Sequence, residues 1–235
     1  MVKSRIAVVE DEEDIREILE YSLSREGFAV ETANDGASGL EMVKKSNPDL
    51  VLLDLMLPDI DGLEICRQLK SSEATRDIAI IMVTAKGEES DIVLGLGLGA
   101  DDYVPKPFSN KELVARVRSV LRRNQRLAAR AETGEEVLVH GRLRIDPERH
   151  KAWVGDEELG LTITEFRILL LLAKNPGRIF SRSQILSEAR GELAAAFDRS
   201  VDAHVRTIRK KLGEERDLIE TVRSIGYRFA EEPDA

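Results

Sequence analysis

Cysteine is nearly missing from this chain: Cys66 stands alone among 235 residues, which excludes an internal disulfide, and no group of thiols or histidines is spaced for zinc. The lone thiol reads as a small apolar helix residue. No stretch approaches the roughly 18 uninterrupted apolar residues that span a bilayer, and the N-terminus enters IAVVE without a signal-type apolar segment. A cytosolic protein with no membrane partner is expected. Internal repeats and low-complexity tracts are absent too. What is present is 42% hydrophobic content over a length that suits two domains.

The formal net charge of −9 is unevenly spread. Residues 1–136 carry 18 Lys+Arg against 27 Asp+Glu, whereas residues 137–235 carry 17 of each. The whole deficit lies in the first part. A neutral second part that gathers its cations on one helix remains able to bind DNA, because local potential at the docking face outweighs the total.

The first 120 or so residues alternate apolar runs with amphipathic stretches, the pattern of a parallel sheet covered by helices on both faces. Strands are expected near 5–9, 29–32, 50–53, 78–83 and 102–105, and helices near 14–26, 37–46, 62–71, 90–98 and 110–125. In such α/β sheets, ligands bind beyond the carboxyl ends of the strands. Glu10, Asp11, Asp54, Thr84 and Lys106 all fall there.

Carboxylates crowded at one sheet end repel each other unless a cation joins them. Magnesium takes a few carboxylate oxygens and keeps several waters, so Glu10, Asp11 and Asp54 suit it. The EDEED run alone is equally explained as a solvated loop and helix cap. Asp54 is harder to explain that way, because it interrupts LVLL and LMLP, and ionised side chains are almost never buried unpaired. A strand-end aspartate beside magnesium can accept a phosphoryl group, with the Thr84 hydroxyl and the Lys106 ammonium on its oxygens. Lys106-Pro107 admits a cis bond that aims the lysine inward, and the neighbouring Pro105 equally suits an extended trans turn; both isomers stay open.

The ED pair, LLDLMLPDIDG, VTA, GADDY and KPF resemble the receiver domain of two-component response regulators. That resemblance implies a flavodoxin-like, doubly wound five-stranded fold, with Asp54 as phosphoacceptor and Asp11 as direct magnesium ligand beside Glu10. It gives Met56 a backbone carbonyl on the metal, makes Thr84 and Tyr103 the switch pair, and puts Lys106 on the phosphate. A sensor histidine kinase is the implied donor; self-catalysed transfer and slow autodephosphorylation are the only chemistry, so the chain is not read as an enzyme. An aspartate-nucleophile phosphohydrolase would place an acid where Met56 stands. A regulator working without phosphorylation would not need Asp54, Thr84 and Lys106 together.

Receiver (1–124), linker (125–136) and effector (137–235) are the expected domains. RRNQRLAARAETGEE loses its apolar period and reads as the tether. Beyond it, short alternating runs broken by HG, DP and GD predict a small antiparallel sheet. Helices follow near 164–175, 181–190 and 200–212, then a hairpin turning around Arg223 to Gly226. Val201, Val205, Ile208 and Leu212 mark one face of the third helix; Arg206, Thr207 and Lys210 lie opposite, with Arg209 on the flank. Such a face enters a major groove, where guanidinium groups read guanine, and Arg223 could reach the adjacent minor groove.

LTITEFRILLLLAKNPGRIFSRSQIL, DRSVDAHVRTIRKKLG and TVRSIGYRF resemble the winged-helix, α+β effector domain of the OmpR/PhoB family. The resemblance implies a recognition helix and wing, with Arg199, His204, Arg206, Thr207, Arg209, Lys210 and Arg223 on promoter DNA with direct repeats. It also implies a homodimer on phosphorylation and RNA polymerase as a partner. On the dimer face, Glu112, Arg116 and Arg123 fall within about 40° of one another on the last receiver helix. Asp101 with Arg116 and Asp102 with Arg123 are the expected pairs across a two-fold. Ile92 stands where the family has a basic partner for Glu112, Arg190-Gly191 where it has Trp-Gly, and the loop ELAAAFD is alanine-rich.

Overall fold

The computed structural model describes residues 3–85, 95, 98–130, 136–190 and 199–231, with backbone only for 85, 123–130, 189–190 and 199–200. They form two compact units that divide after Arg122.

The first unit is a five-stranded parallel sheet in the order β2-β1-β3-β4-β5. Its strands are β1 (Arg5–Val9), β2 (Ala29–Ala33), β3 (Leu50–Asp54), β4 (Ala79–Ala85) and β5 (Asp102–Lys106). β3 is buried at all five positions because both sheet faces are covered, which is why it reads as an unbroken apolar run. Ile6, Val8, Leu50, Leu52, Ile81, Val83 and Val104 join a core with Leu19 and Leu23 of helix α1 (Glu13–Arg25) and Leu113, Val117 and Val120 of helix α4 (Asn110–Arg130). Helices α2 (Gly36–Ser46) and α3 (Gly62–Ser71) bury Val43, Ile65, Cys66 and Leu69. α2 approaches β1 so closely that a Cβ on Gly39 would lie 2.6 Å from Val9 Cγ1. Cys66 is fully buried, as its helix position suggested, and burial pushes its thiol up to about 12.

Most boundaries fall within a residue or two of expectation, and two of the differences bear on the site and the tether. Thr84 lies inside β4, and α4 continues to Arg130 through part of the stretch read as tether. The Arg, Gln, Leu and Ala residues there favour helix even without an apolar stripe. The helix expected over 90–98 lies outside the described residues, apart from 95 and 98.

The second unit opens with an antiparallel sheet of β6 (Leu138–His140), β7 (Leu143–Asp146), β8 (Lys151–Val154) and β9 (Glu157–Glu158). Helices α5 (Ile163–Ala173), α6 (Arg182–Arg190) and α7 (Arg199–Leu212) follow. α5 starts with a reciprocal Thr162/Glu165 capping box, and α6 with Ser181 and Gln184 bonding each other's backbone N–H. A 3₁₀ turn (Gly213–Leu218) leads into the hairpin β11 (Ile219–Val222) and β12 (Gly226–Phe229). Against β12 pairs a two-residue strand, β10 (Phe180–Ser181), too short to have an alternation legible in sequence. It crosses so near that a Cβ on Gly226 would meet Phe180 O at 2.0 Å. Phe166, Leu169, Val201, Val205, Ile208 and Phe229 build this unit's core.

Candidate functional site

The pocket lies where the chain leaves β1 in one direction and β3 in the other. Glu10, just past β1, and Asp54, the last residue of β3, are 1% and 2% exposed. Lys106 ends β5 and reaches across: its Nζ lies 2.7 Å from Asp54 Oδ2, 2.8 Å from Glu10 Oε1 and 3.2 Å from Glu12 Oε1. Three carboxylates therefore face one ammonium. Burial pushes the Glu10 carboxyl up to about 7, with the hydrogen bond from Lys106 pulling it back. For Lys106, burial opposes the charge, but bonds to Asp54 and Glu10 outweigh it and hold the ammonium above its ordinary range. The Lys106-Pro107 bond is cis.

Glu10, Glu12 and Asp54 each offer an oxygen within 4.8 Å of the others, and Glu10 Oε2 is buried without a hydrogen-bond partner among the described residues. A clustered, partly unsatisfied oxygen set of this kind fits a hard divalent cation such as Mg2+. Asp11, expected as the direct ligand, stands outside the cluster with an exposed side chain, while Arg16 Nη1 holds the Glu10 and Asp11 carbonyl oxygens at 2.8 and 3.0 Å. Glu12 takes the third place, a residue that motif reading passed over. Met56 presents its amide here, donating to Asp54 Oδ1 at 3.0 Å, and its side chain is 72% exposed.

Thr84 is buried on β4, one residue beyond the Val83 that pairs with Asp54. Tyr103 is half-buried on β5, opposite Met82. Asp59 was also missed. It accepts from Gly36 N at 2.7 Å and Ala37 N at 2.9 Å, tying the loop after Asp54 to the start of α2, and the Gly36 bond first of all lowers its pKa. Only its nearness to a distant helix start reveals that role.

Within the chain, the residues expected to pair across a two-fold are engaged with one another and with Lys70. Asp101 is 3% exposed and bound to Lys70 at 3.2 Å, while Arg116 takes Asp102 at 3.1 Å and Glu112 at 3.0 Å. A buried ammonium takes the nearest carboxylate because leaving it unpaired costs several kcal/mol, roughly. The Arg123 side chain and Ile92 lie outside the described residues.

On α7, Arg206 and Lys210 are exposed, as is Arg223 in the hairpin turn. Thr207 is half-buried, with Oγ1 bonded to Ala203 O at 3.1 Å. His204 is corrected from a DNA contact to a core residue: it is 0% exposed, because three positions after Val201 it falls on the buried stripe. Arg209 is likewise diverted, its Nη2 bonding Ile219 O at 2.7 Å and Thr221 Oγ1 at 2.8 Å. The Arg199 and Arg190 side chains and the loop 191–198 lie outside the described residues.

Both units have counterparts among known proteins. Residues 6–118 match the response regulator receiver domain, and residues 156–229 match the C-terminal domain of transcriptional regulatory proteins. The phosphate regulon transcriptional regulatory protein PhoB of Escherichia coli K12 is 44% identical over 229 residues, covering 96% of this chain and 97% of its own. The alkaline phosphatase synthesis transcriptional regulatory protein PhoP of Bacillus subtilis 168 is 41% identical over 237 residues, 98% of each chain. A solved structure of a RitR variant superposes with a TM-score of 0.79 at 25% identity, covering 97% of this chain and all of its own.

Proposed function

The chain belongs to the OmpR/PhoB family of two-component response regulators, phosphorylation-controlled DNA-binding transcription regulators rather than classical enzymes, and we infer that its switch is phosphorylation of Asp54. The observation that carries this reading is the imbalance of the pocket, where Asp54, Glu10 and Glu12 crowd around the single ammonium of Lys106 among the described residues. In the transfer an Asp54 oxygen attacks phosphorus, the P–N bond of a sensor kinase phosphohistidine breaks, and the imidazole departs. Lys106 Nζ already touches Asp54 Oδ2 and is placed to pair with a phosphoryl oxygen. Thr84, on the adjacent strand, supplies a hydroxyl to the same group and passes the change to Tyr103. A Mg2+ ion held by Glu10, Glu12 and Asp54 would neutralise charge on the transferring phosphoryl group.

The output is double-stranded promoter DNA, read by the exposed Arg206 and Lys210 of α7, with Arg223 in the neighbouring minor groove. Dimerisation on phosphorylation, action in the cytoplasm and contact with RNA polymerase belong to the same reading, supported by full-length likeness to PhoB and PhoP.

Incubation with acetyl phosphate and magnesium is expected to label the wild-type protein and tighten its DNA binding, and Asp54→Ala to abolish both. Full labelling of the alanine variant would overturn the assignment. Arg223→Ala is expected to weaken binding and flatten its salt dependence by about one phosphate contact. An unchanged salt slope removes Arg223 from the interface.

A further inference from the structure

Asp202 is an acidic residue in the first turn of a helix whose outward face is otherwise basic. One reading is electrostatic: a carboxylate near a helix N-terminus is favoured by the helix dipole. That reading needs only the charge. The structure shows more, because Asp202 Oδ1 accepts two side-chain bonds from two other elements. Tyr227 Oη on β12 donates at 2.7 Å, and Arg182 Nε on α6 donates at 2.7 Å. Arg182 also lies over the Tyr227 ring, 5.2 Å from its centre.

Two turns further along α7, Arg209 approaches the same ring at 5.6 Å while bonding Ile219 O and Thr221 Oγ1 of β11. Tyr227 is thus gripped by its hydroxyl and its π face from α6 and α7 together, and both hairpin strands are fastened to the helix. Arg223 stands in the turn joining those strands. Its position relative to Arg206 and Lys210 depends on this fastening, since all three are exposed and, among the described residues, no hydrogen bond or ion pair holds them directly. Hydrogen bonds with a charged partner are the stronger ones, and cation–π contacts to tyrosine add to them.

We infer that Asp202 is a positioning residue for sequence discrimination: its carboxylate locks the hairpin to the recognition helix and keeps the Arg182 guanidinium off the DNA phosphates. The inference rests on the DNA-binding reading above. It predicts two separable effects. Losing the carboxylate frees Arg182 to make an additional sequence-independent phosphate contact, which raises non-specific affinity. Loosening the hairpin degrades the fixed spacing between base-reading groups, which lowers the advantage of the right sequence over the wrong one.

The test uses full-length protein, a duplex selected by the wild type from a random-sequence pool, and a scrambled duplex of equal length. Failure of the wild type to select any duplex would defeat the DNA-binding reading itself. Given selection, Asp202→Ala is expected to bind the scrambled duplex about threefold more tightly, with a salt slope steeper by about one contact, and to discriminate about tenfold less. Asp202→Asn, which keeps an acceptor oxygen, is expected to recover part of the discrimination. Tyr227→Phe removes only the hydroxyl and decides the matter if the alanine variant fails to fold: about threefold lower discrimination is expected, at unchanged salt slope. Unchanged discrimination in Asp202→Ala and Tyr227→Phe would overturn the inference and leave Asp202 as a helix-terminal acid.

Discussion

The two ends of the receiver sheet each bury a lysine against aspartate, with opposite outcomes. At the amino end, Lys70 Nζ donates to Arg76 O at 3.2 Å, Ile78 O at 2.7 Å and Asp101 Oδ2 at 3.2 Å, and that oxygen also accepts from Ile80 N at 2.9 Å. One positive charge meets one negative charge, and the ammonium has used all three protons. At the carboxyl end, Lys106 meets three carboxylates, and Glu10 Oε2 has no hydrogen-bond partner among the described residues. A balanced, saturated pair is scaffold. An unbalanced, unsaturated cluster is a place prepared for something else, which the proposed function reads as a cation and a phosphoryl group.

That contrast breaks most visibly under substitution at the scaffold end. Lys70→Met leaves the Asp101 carboxylate buried without its ammonium and is expected to cost about 3–5 kcal/mol in denaturant unfolding, part of which the added change Asp101→Asn restores. A cost below about 1 kcal/mol would mean that the two ends are equivalent.

A smaller effect is expected from pH at the functional end, with chelator present. Burial raises Glu10 from an ordinary 4.5 to about 7, so between those values the folded chain holds a proton that the unfolded chain has released. Its contribution to stability is full below pH 4.5 and is lost as pH rises towards 7. The stability of the wild type relative to Glu10→Gln should therefore fall across that window. A difference that stays level or rises would show that the pocket tolerates all its charges.

The smallest effect is expected from Asp54→Asn under the same conditions. Removing one of three crowded carboxylates while Lys106 keeps Glu10 and Glu12 should stabilise the chain by about 1 kcal/mol or less. A clear loss of stability would place Asp54 with the scaffold rather than with the switch.

Much of this was legible in the sequence because polar residues inside apolar runs are anomalies: Asp54 after LVLL and Lys106 within YVPKPF stand out by local context. Glu12 did not, since an acid among acids carries no local signal. Asp101 has a partner within the chain that its motif position did not suggest. Lys70 sits on a helix distant in sequence and is buried, although a lysine there reads as solvated. His204 was within reach of an i, i+3 count from Val201, whereas the diversion of Arg209 to the hairpin required knowing where β11 runs.

By itself the sequence determined the order of the five receiver strands, the division into two folded units, and the strand-end address of the candidate pocket, because periodicity and burial anomalies are local properties of the chain. Only the tertiary structure decided which charge pairs with which. An ion pair depends on distances between atoms far apart in sequence, and a few ångströms separate a lysine that is part of the frame from one that is part of the switch.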